Sequence, residues 1–163
     1  MNASSIKRSH SSTDVSRQLE LGRRGEELAA AYLQRLGYKI VATNFTLPVG
    51  RNRLGVPINV EIDLVAYQGQ TLCFIEVKSR ASDWFAPPQV NVDRRKQRQI
   101  ARAARAYRRM FGLVGEPYRY DVITIVFGED DDDASVAPEI ELLRSYWTED
   151  QLRKRAWSDR YYD

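Results

Sequence analysis

Residues 60–80 read VEIDLVAYQGQTLCFIEVKSR. Two mainly apolar runs, residues 58–67 and 71–79, flank Gln68-Gly69-Gln70, a pattern that predicts two antiparallel strands and a tight turn. Inside these runs stand Glu61, Asp63, Glu76 and Lys78. A charge placed in a core is costly unless it is paired or holds a metal. The hairpin therefore predicts either a buried ion pair or a polar site built into a sheet.

Outward from the hairpin, the chain predicts helices and strands in alternation. Toward the N-terminus, residues 15–36 predict a helix with Leu21, Gly25, Leu28, Ala29, Tyr32, Leu33 and Leu36 on one face, ended by Gly37. Gly22 and Gly25 each cost such a helix about 1 kcal/mol against alanine, which predicts close approach of its backbone to a sheet. Residues 38–45 predict a strand. The stretch TLPVGRNRLGVP that follows, with two prolines and two glycines, predicts a loop or flexible hairpin. Beyond the central hairpin come a loop with Trp84 and Phe85, and a helix over residues 92–111. Next are strands over 119–127 and 139–147, separated by a polar loop, and a final helix from Thr148, where Thr-Glu-Asp-Gln resembles a capping box. The order predicts an α/β fold: a mixed central β-sheet flanked by helices, with an αβββαβ core. Residues 1–16 are expected to be a disordered tail, 17–147 one domain, and 148–163 a C-terminal helix packed on it or extending it.

Composition excludes several function classes. No run approaches the roughly 20 apolar residues of a membrane helix, and the Ser-rich N-terminus has no apolar core for a secretory signal. The single cysteine, Cys73, allows no internal disulfide and suits a reducing cytoplasm, with the residue itself expected in the core. The one histidine is His10, in the expected tail. That disfavours Ser-His-Asp hydrolysis, His-ligated zinc and histidine-based phosphodiester chemistry. Hydrolysis by this chain must rest on carboxylates and lysine, with or without a hard metal ion. Net charge is +3, but residues 93–109 hold eight Lys or Arg against one acid, while residues 129–133 are wholly acidic.

Alternation along a strand puts Glu61, Asp63 and Val65 on one face and Ile62, Leu64 and Ala66 on the other. Glu76 and Lys78 share a face with Leu72 and Phe74. If pairing puts the acidic faces on one side, Asp63, Glu76 and Lys78 converge. One reading is an ion pair on a half-exposed sheet. The other is a site for Mg²⁺ or Mn²⁺, since two carboxylates and a backbone carbonyl can hold Mg²⁺ while it keeps several waters. Such an ion activates water and neutralises charge on a phosphoryl group, and a nearby lysine orients the water or stabilises the developing charge.

The pattern D-x12-E-V-K across a hairpin, with a helix before and after, resembles the PD-(D/E)XK nuclease superfamily. More narrowly, the chain resembles the YraN family of predicted bacterial endonucleases. The resemblance is carried by GRRGEELAAAYL from Gly22, Gly37-Tyr38, Asn44, EIDLV from Glu61, FIEVKSR from Phe74 and YDVITI from Tyr120. It implies a restriction-endonuclease-like fold, Asp63 and Glu76 as metal ligands with the Val77 carbonyl as a third, Lys78 as catalytic lysine, and kinship with Holliday-junction resolvases. Two departures are Val60, where the family has glycine, and an insertion between Asn44 and Glu61.

Glu26 matches the family's helix glutamate, which helps at the metal site in related resolvases; otherwise it is a surface acid paired with Arg23 or Arg24. Glu61 is either a further ligand or a partner for Lys78. Lys96 and Gln97, in the first turn of the second long helix, reach toward the site, or Lys96 snorkels over the sheet edge. Arg51 and Arg53 on the insertion are expected to meet DNA. Arg94, Arg98, Arg102, Arg105 and Arg109 form a row facing away from the sheet, a phosphate-binding surface or a solvated face. Trp84 and Phe85 either stack on a base or cap the core. The expectation is a cytoplasmic, Mg²⁺- or Mn²⁺-dependent endonuclease acting on branched or single-stranded DNA, with a two-fold homodimer suited to a junction substrate. Its alternatives are an inactive nucleic-acid-binding module of the same fold and a protein-interaction scaffold.

Overall fold

A computed structural model describes residues 12–82, 91–128 and 137–158. The element order is α1 (Ser12–Arg35), β1 (Lys39–Arg51), β2 (Pro57–Gln68), β3 (Thr71–Ala81), α2 (Arg94–Met110), β4 (Tyr118–Phe127), β5 (Glu139–Trp147) and α3 (Glu149–Ser158). The α/β class and the αβββαβ order agree with the sequence. His10, Trp84, Phe85 and the acidic run at 129–133 lie outside the described residues.

The strands form one sheet in the order β1-β2-β3-β4-β5. Only β3 and β4 pair in parallel, and the α2 segment is the crossover that this requires. α1 covers one face, where Leu21, Ala29 and Leu33 pack on Leu64, Ala66, Cys73, Ile75, Ile123 and Ile125. α2 covers the other, where Ile100, Ala103, Ala104 and Tyr107 pack on Val65, Leu72, Phe74, Tyr120 and Val122. Both faces of the central strands are thus buried, which accounts for the nearly unbroken apolar run of β4.

Helix ends follow local chemistry. At the end of α1, Gly37 takes φ +84°. Its N–H donates to the Gln34 carbonyl and that of Tyr38 to the Leu33 carbonyl, each at 3.0 Å, a Schellman closure. Asp93 caps α2 by accepting from the Lys96 N–H at 2.8 Å. At α3 the Thr148 and Gln151 side chains exchange bonds with each other's backbone N–H, completing the expected capping box.

Four local expectations are corrected. Leu36, placed on the apolar face of α1, is 44% exposed beyond the helix end. Gly25 does permit close approach, since a Cβ there would lie 1.7 Å from Ser79 Oγ, but Gly22 has nothing within 4 Å. The strand expected over 38–45 is longer: β1 runs on to Arg51 and β2 starts at Pro57, pairing from Leu47–Val60 to Arg51–Pro57, so of the two readings of the insertion the hairpin holds. The prolines are tolerated because β1 is an edge strand and Pro57 opens β2. At the tip, Asn52 Oδ1 accepts from the N–H groups of Leu54 and Val56.

The fourth correction bears on the site. Strict alternation in β2 fails at Asp63. Val60, Ile62 and Val65 all pack on the α2 side, whereas Leu64 and Ala66 face α1. Ile62 therefore sits with Val65, not with Leu64. The break is matched on β1, where Asn44 lies across from Asp63, between the Thr43–Leu64 and Phe45–Ile62 pairs. Asn44 adopts φ +48°, a left-handed turn that lets Ala42 and Phe45, three residues apart, both pack on the α2 side.

Candidate active site

The pairing of β2 with β3 stops at Leu64–Ile75. The next two residues in register are Asp63 and Glu76, so both carboxylates stand in the fork where the strands part. Asp63 Oδ2 fills the opening by accepting the Val77 N–H at 2.7 Å. This bond satisfies a strand donor that β2's backbone no longer reaches. On β3 alternation holds: Cys73, Ile75 and Val77 face α1, and Phe74 faces α2.

Asp63 and Glu76 are buried, at 9% and 3% exposure. Lys78 Nζ lies 2.9 Å from Glu76 Oε1, and Lys96 Nζ, arriving from the first turn of α2, lies 3.4 Å from Oε2. The Lys96 approach is an ion pair without hydrogen-bond alignment, and Glu76 Oε2 is left without a hydrogen-bond partner. Burial, and then the charge of Glu76, push the Asp63 carboxyl up to about 7; the Val77 N–H and Lys96 oppose that rise. A carboxylate whose charge is disfavoured by burial and by its neighbour, beside a second carboxylate with an unbonded oxygen, favours an added cation.

On the α1 side, Glu26 Oε2 accepts from Asn44 Nδ2 at 2.7 Å. Of its two suggested surface partners, Arg23 pairs with Glu20 and Glu27 instead, and Arg24 lies over the Phe127 ring. The left-handed backbone of Asn44 thus turns its amide toward α1 and fastens Glu26, whose charge also acts on Asp63. Sequence reasoning gave Asn44 no role of its own. The one signal available was an asparagine, a residue that tolerates φ > 0, inside a strand pattern.

The other expected residues are placed as follows. Glu61 is exposed and accepts from Thr46 Oγ1 at 3.3 Å. Gln97 Nε2 donates to the Val92 carbonyl at 2.7 Å, tying it to the entry of α2. Arg51 donates to the Gly55 carbonyl. Arg51 and Arg53 sit at the tip of the long hairpin. Six residue steps along β2, about 20 Å at 3.3 Å each, separate Pro57, the partner of Arg51, from Asp63, so the hairpin does not bring these arginines to the fork.

A third buried acid, Asp121, is fully enclosed and does not belong to the fork. Arg119 Nε donates to both its oxygens, at 3.0 and 2.9 Å, and the Ser145 N–H donates to Oδ1 at 2.8 Å. Arg119 also donates to the Tyr38 hydroxyl at 2.8 Å. This saturated network joins β4, β5 and the start of β1. Cys73 is buried beside it, its thiol pushed up to about 11 by burial and by the Asp121 charge, as suits an inert core residue.

Among the described residues no three His, Cys, Asp or Glu side chains cluster as a metal-holding group. A cation at the fork would rest on Asp63, Glu76 and the Val77 carbonyl, with waters for the rest. That is a donor set of the type Mg²⁺ accepts, and the unbonded Glu76 oxygen fits it. No described helix is long and apolar enough to cross a membrane.

The model of the uncharacterised protein family UPF0102 matches residues 25–125, which take in the C-terminal part of α1, the fork, α2 and most of β4. A UPF0102 protein of Geobacter sulfurreducens is 43% identical over 121 residues, covering 74% of this chain and 83% of its own. One of Desulfosudis oleivorans is 35% identical over 131 residues, covering 80% and 92%. One of Chlorobium limicola is 39% identical over 130 residues, covering 79% and 93%. The chain belongs to the UPF0102 family, and Glu26, Asn44, Asp63, Glu76, Lys78 and Lys96 all fall inside the matched region.

Proposed function

We propose that this protein is a metal-dependent endonuclease of the PD-(D/E)XK type, hydrolysing phosphodiester bonds in DNA. The observation that carries the reading is the fork itself: two buried carboxylates at a parting of strands, with two lysines on one of them and an oxygen left unbonded. A saturated structural ion pair, such as Arg119–Asp121, leaves no such vacancy in its bonding.

Asp63, Glu76 and the Val77 carbonyl would hold Mg²⁺ or Mn²⁺, which supplies polarisation of the phosphodiester and activation of water. The Val77 N–H holds Asp63 by Oδ2, so the orientation of the carboxylate is set before any ligand arrives, and its other oxygen would be free for the ion. The Lys78 ammonium, 42% exposed beside Glu76, reaches from the buried acid to the open side of the fork. There it orients the attacking water and stabilises charge gathering on the phosphoryl oxygens. Lys96 balances the charge of Glu76 from α2. Glu26, fastened by Asn44, presents a carboxylate from the α1 side that accepts a hydrogen bond from the water. Branched or single-stranded DNA is the proposed substrate, and the cytoplasm the proposed location.

The test is incubation of purified protein with labelled single-stranded, duplex, flap and four-way-junction DNA with Mg²⁺ or Mn²⁺, beside Asp63→Asn and Lys78→Ala. Cuts that need metal and vanish in both variants support the reading. Binding that weakens with salt, without cleavage of any substrate under either metal, overturns it in favour of a binding module.

A further inference from the structure

We propose that the outer face of α2 is a second nucleic-acid contact, binding the phosphate backbone of duplex DNA away from the carboxylate fork. It rests on DNA as the ligand class proposed above, but not on cleavage. Arg98, Arg102, Arg105 and Arg109 recur at spacings of four, three and four residues, so they fall on one stripe. All four are exposed. At 1.5 Å per residue the stripe runs about 16 Å. It points about 180° from the buried face that carries Lys96, Ile100, Ala103 and Tyr107.

Two grooves flank the stripe. One, of about 270 Å³, lies between α2 and α3 and is lined by Arg98, Arg102, Arg105 and Arg153, with Glu149 its lone acid. The other, of about 340 Å³, lies between α2 and β1 and is lined by Arg102, Arg105 and Arg109 beside Pro48 and Val49. Arg102 is aimed by its bond to the Val49 carbonyl at 2.8 Å, and Arg105 meets Glu149 only at 3.7 Å. No described acid pairs with Arg98 or Arg109.

A face that served only solvation would be built otherwise. On α1, Arg23 is flanked by Glu20 and Glu27 at helical spacing and paired with both. α2 carries no acid from residue 94 to 110 and has three basic residues in its first turn. There the helix dipole disfavours positive charge, and the like charges at i,i+4 along the stripe repel. Charge kept against the helix's own electrostatics is complementary to a polyanion, and grooves lined by guanidinium groups suit phosphates. Because the stripe and the fork lie on opposite sides of α2, one short straight duplex cannot fill both. The face takes a separate duplex segment.

The test is binding of a labelled 16-base-pair duplex in EDTA, by fluorescence anisotropy from 50 to 200 mM salt. The wild-type chain is compared with Arg98→Gln/Arg105→Gln/Arg109→Gln. Loss of three phosphate contacts is expected to reduce the slope of log K against log salt by about 2.7, with binding at 50 mM weakened at least tenfold. Thermal unfolding of the variant is expected to be unchanged or raised, since like-charge repulsion is relieved. If the triple variant does not fold, Arg98→Gln alone is expected to reduce the slope by about 0.9. An unchanged slope in a folded variant overturns the proposal. So does poly-glutamate binding as tightly as duplex, which would assign the face to an acidic protein segment. A chain that cuts no DNA yet loses slope in this way refutes the cleavage reading and keeps this one; cleavage with an unchanged slope does the reverse.

Discussion

Replacing Asp63 by asparagine is expected to stabilise the metal-free protein, and to do so only above mildly acidic pH. The asparagine carbonyl oxygen keeps the acceptor for the Val77 N–H, held now at 2.7 Å, while the charge beside Glu76 is removed. The Asp63 carboxyl is pushed from 3.8 up to about 7 in the fold. A raised carboxyl holds its proton more tightly folded than unfolded, so its contribution is intact below the unfolded value and is lost as pH rises through the folded one. Between pH 4 and 7 the wild-type chain therefore loses stability relative to the variant by up to about 1.4 kcal/mol per pH unit. The three units accumulate to an upper limit of about 4 kcal/mol above pH 7. For a chain of this size that corresponds to a rise in Tm on the order of 10 °C. The assay is thermal unfolding of both proteins in EDTA at pH 4, 6 and 8, repeated with Mg²⁺ at pH 8. Near equality at pH 4, a gap that opens by pH 8, and closure of that gap when Mg²⁺ stabilises only the wild type are expected. A variant that is less stable at pH 8 without metal, or a gap that does not change with pH, refutes the charge argument for the fork.

Two further outcomes follow from the backbone and the core. Asn44→Gly is expected to leave stability within about 0.5 kcal/mol, whereas Asn44→Ala costs about 1–2 kcal/mol for a left-handed residue. Urea unfolding checks this, and equal effects of Gly and Ala would show that φ +48° is not what selects asparagine. Asp121→Ala leaves the partly buried Arg119 without its carboxylate and is expected to cost about 1.5–3 kcal/mol, read by urea unfolding; a cost under 1 kcal/mol would mean that Tyr38 and Gln68, which both accept from Arg119 Nη2, suffice to hold the guanidinium.

The elements were legible in the sequence because each carries its own local signal. Helical spacing of apolar residues marks α1 and α2, glycine marks the end of α1, and a two-strand pattern with a glycine turn marks β2 and β3. In the sequence the insertion stays open between loop and hairpin, and the first strand ends too early, at residue 45, because two prolines and two glycines are loop signals unless the strand is an edge, and edge position is a property of the sheet. Gly25 was read correctly as a point of close approach, yet that its contact is Ser79 required the docked helix. The face assignment of Ile62 failed because period two assumes an unbroken ladder, and Asn44 breaks it.

The sequence by itself determined which residue types are available for chemistry and roughly where they sit along the chain. Without a histidine in the described fold, carboxylates and lysines are what remain, and Asp63, Glu76 and Lys78 lie in one hairpin at a spacing that strand pairing can bring together. Only the tertiary structure decided that they do meet, and how. The strands part after Leu64–Ile75, Lys96 arrives from a helix eighteen residues further along the chain, and Glu26 is held by Asn44 from the opposite face. Local preference acts over a turn or a few residues, whereas the burial that raises Asp63 and orphans a Glu76 oxygen arises from helices packed on both faces of the sheet.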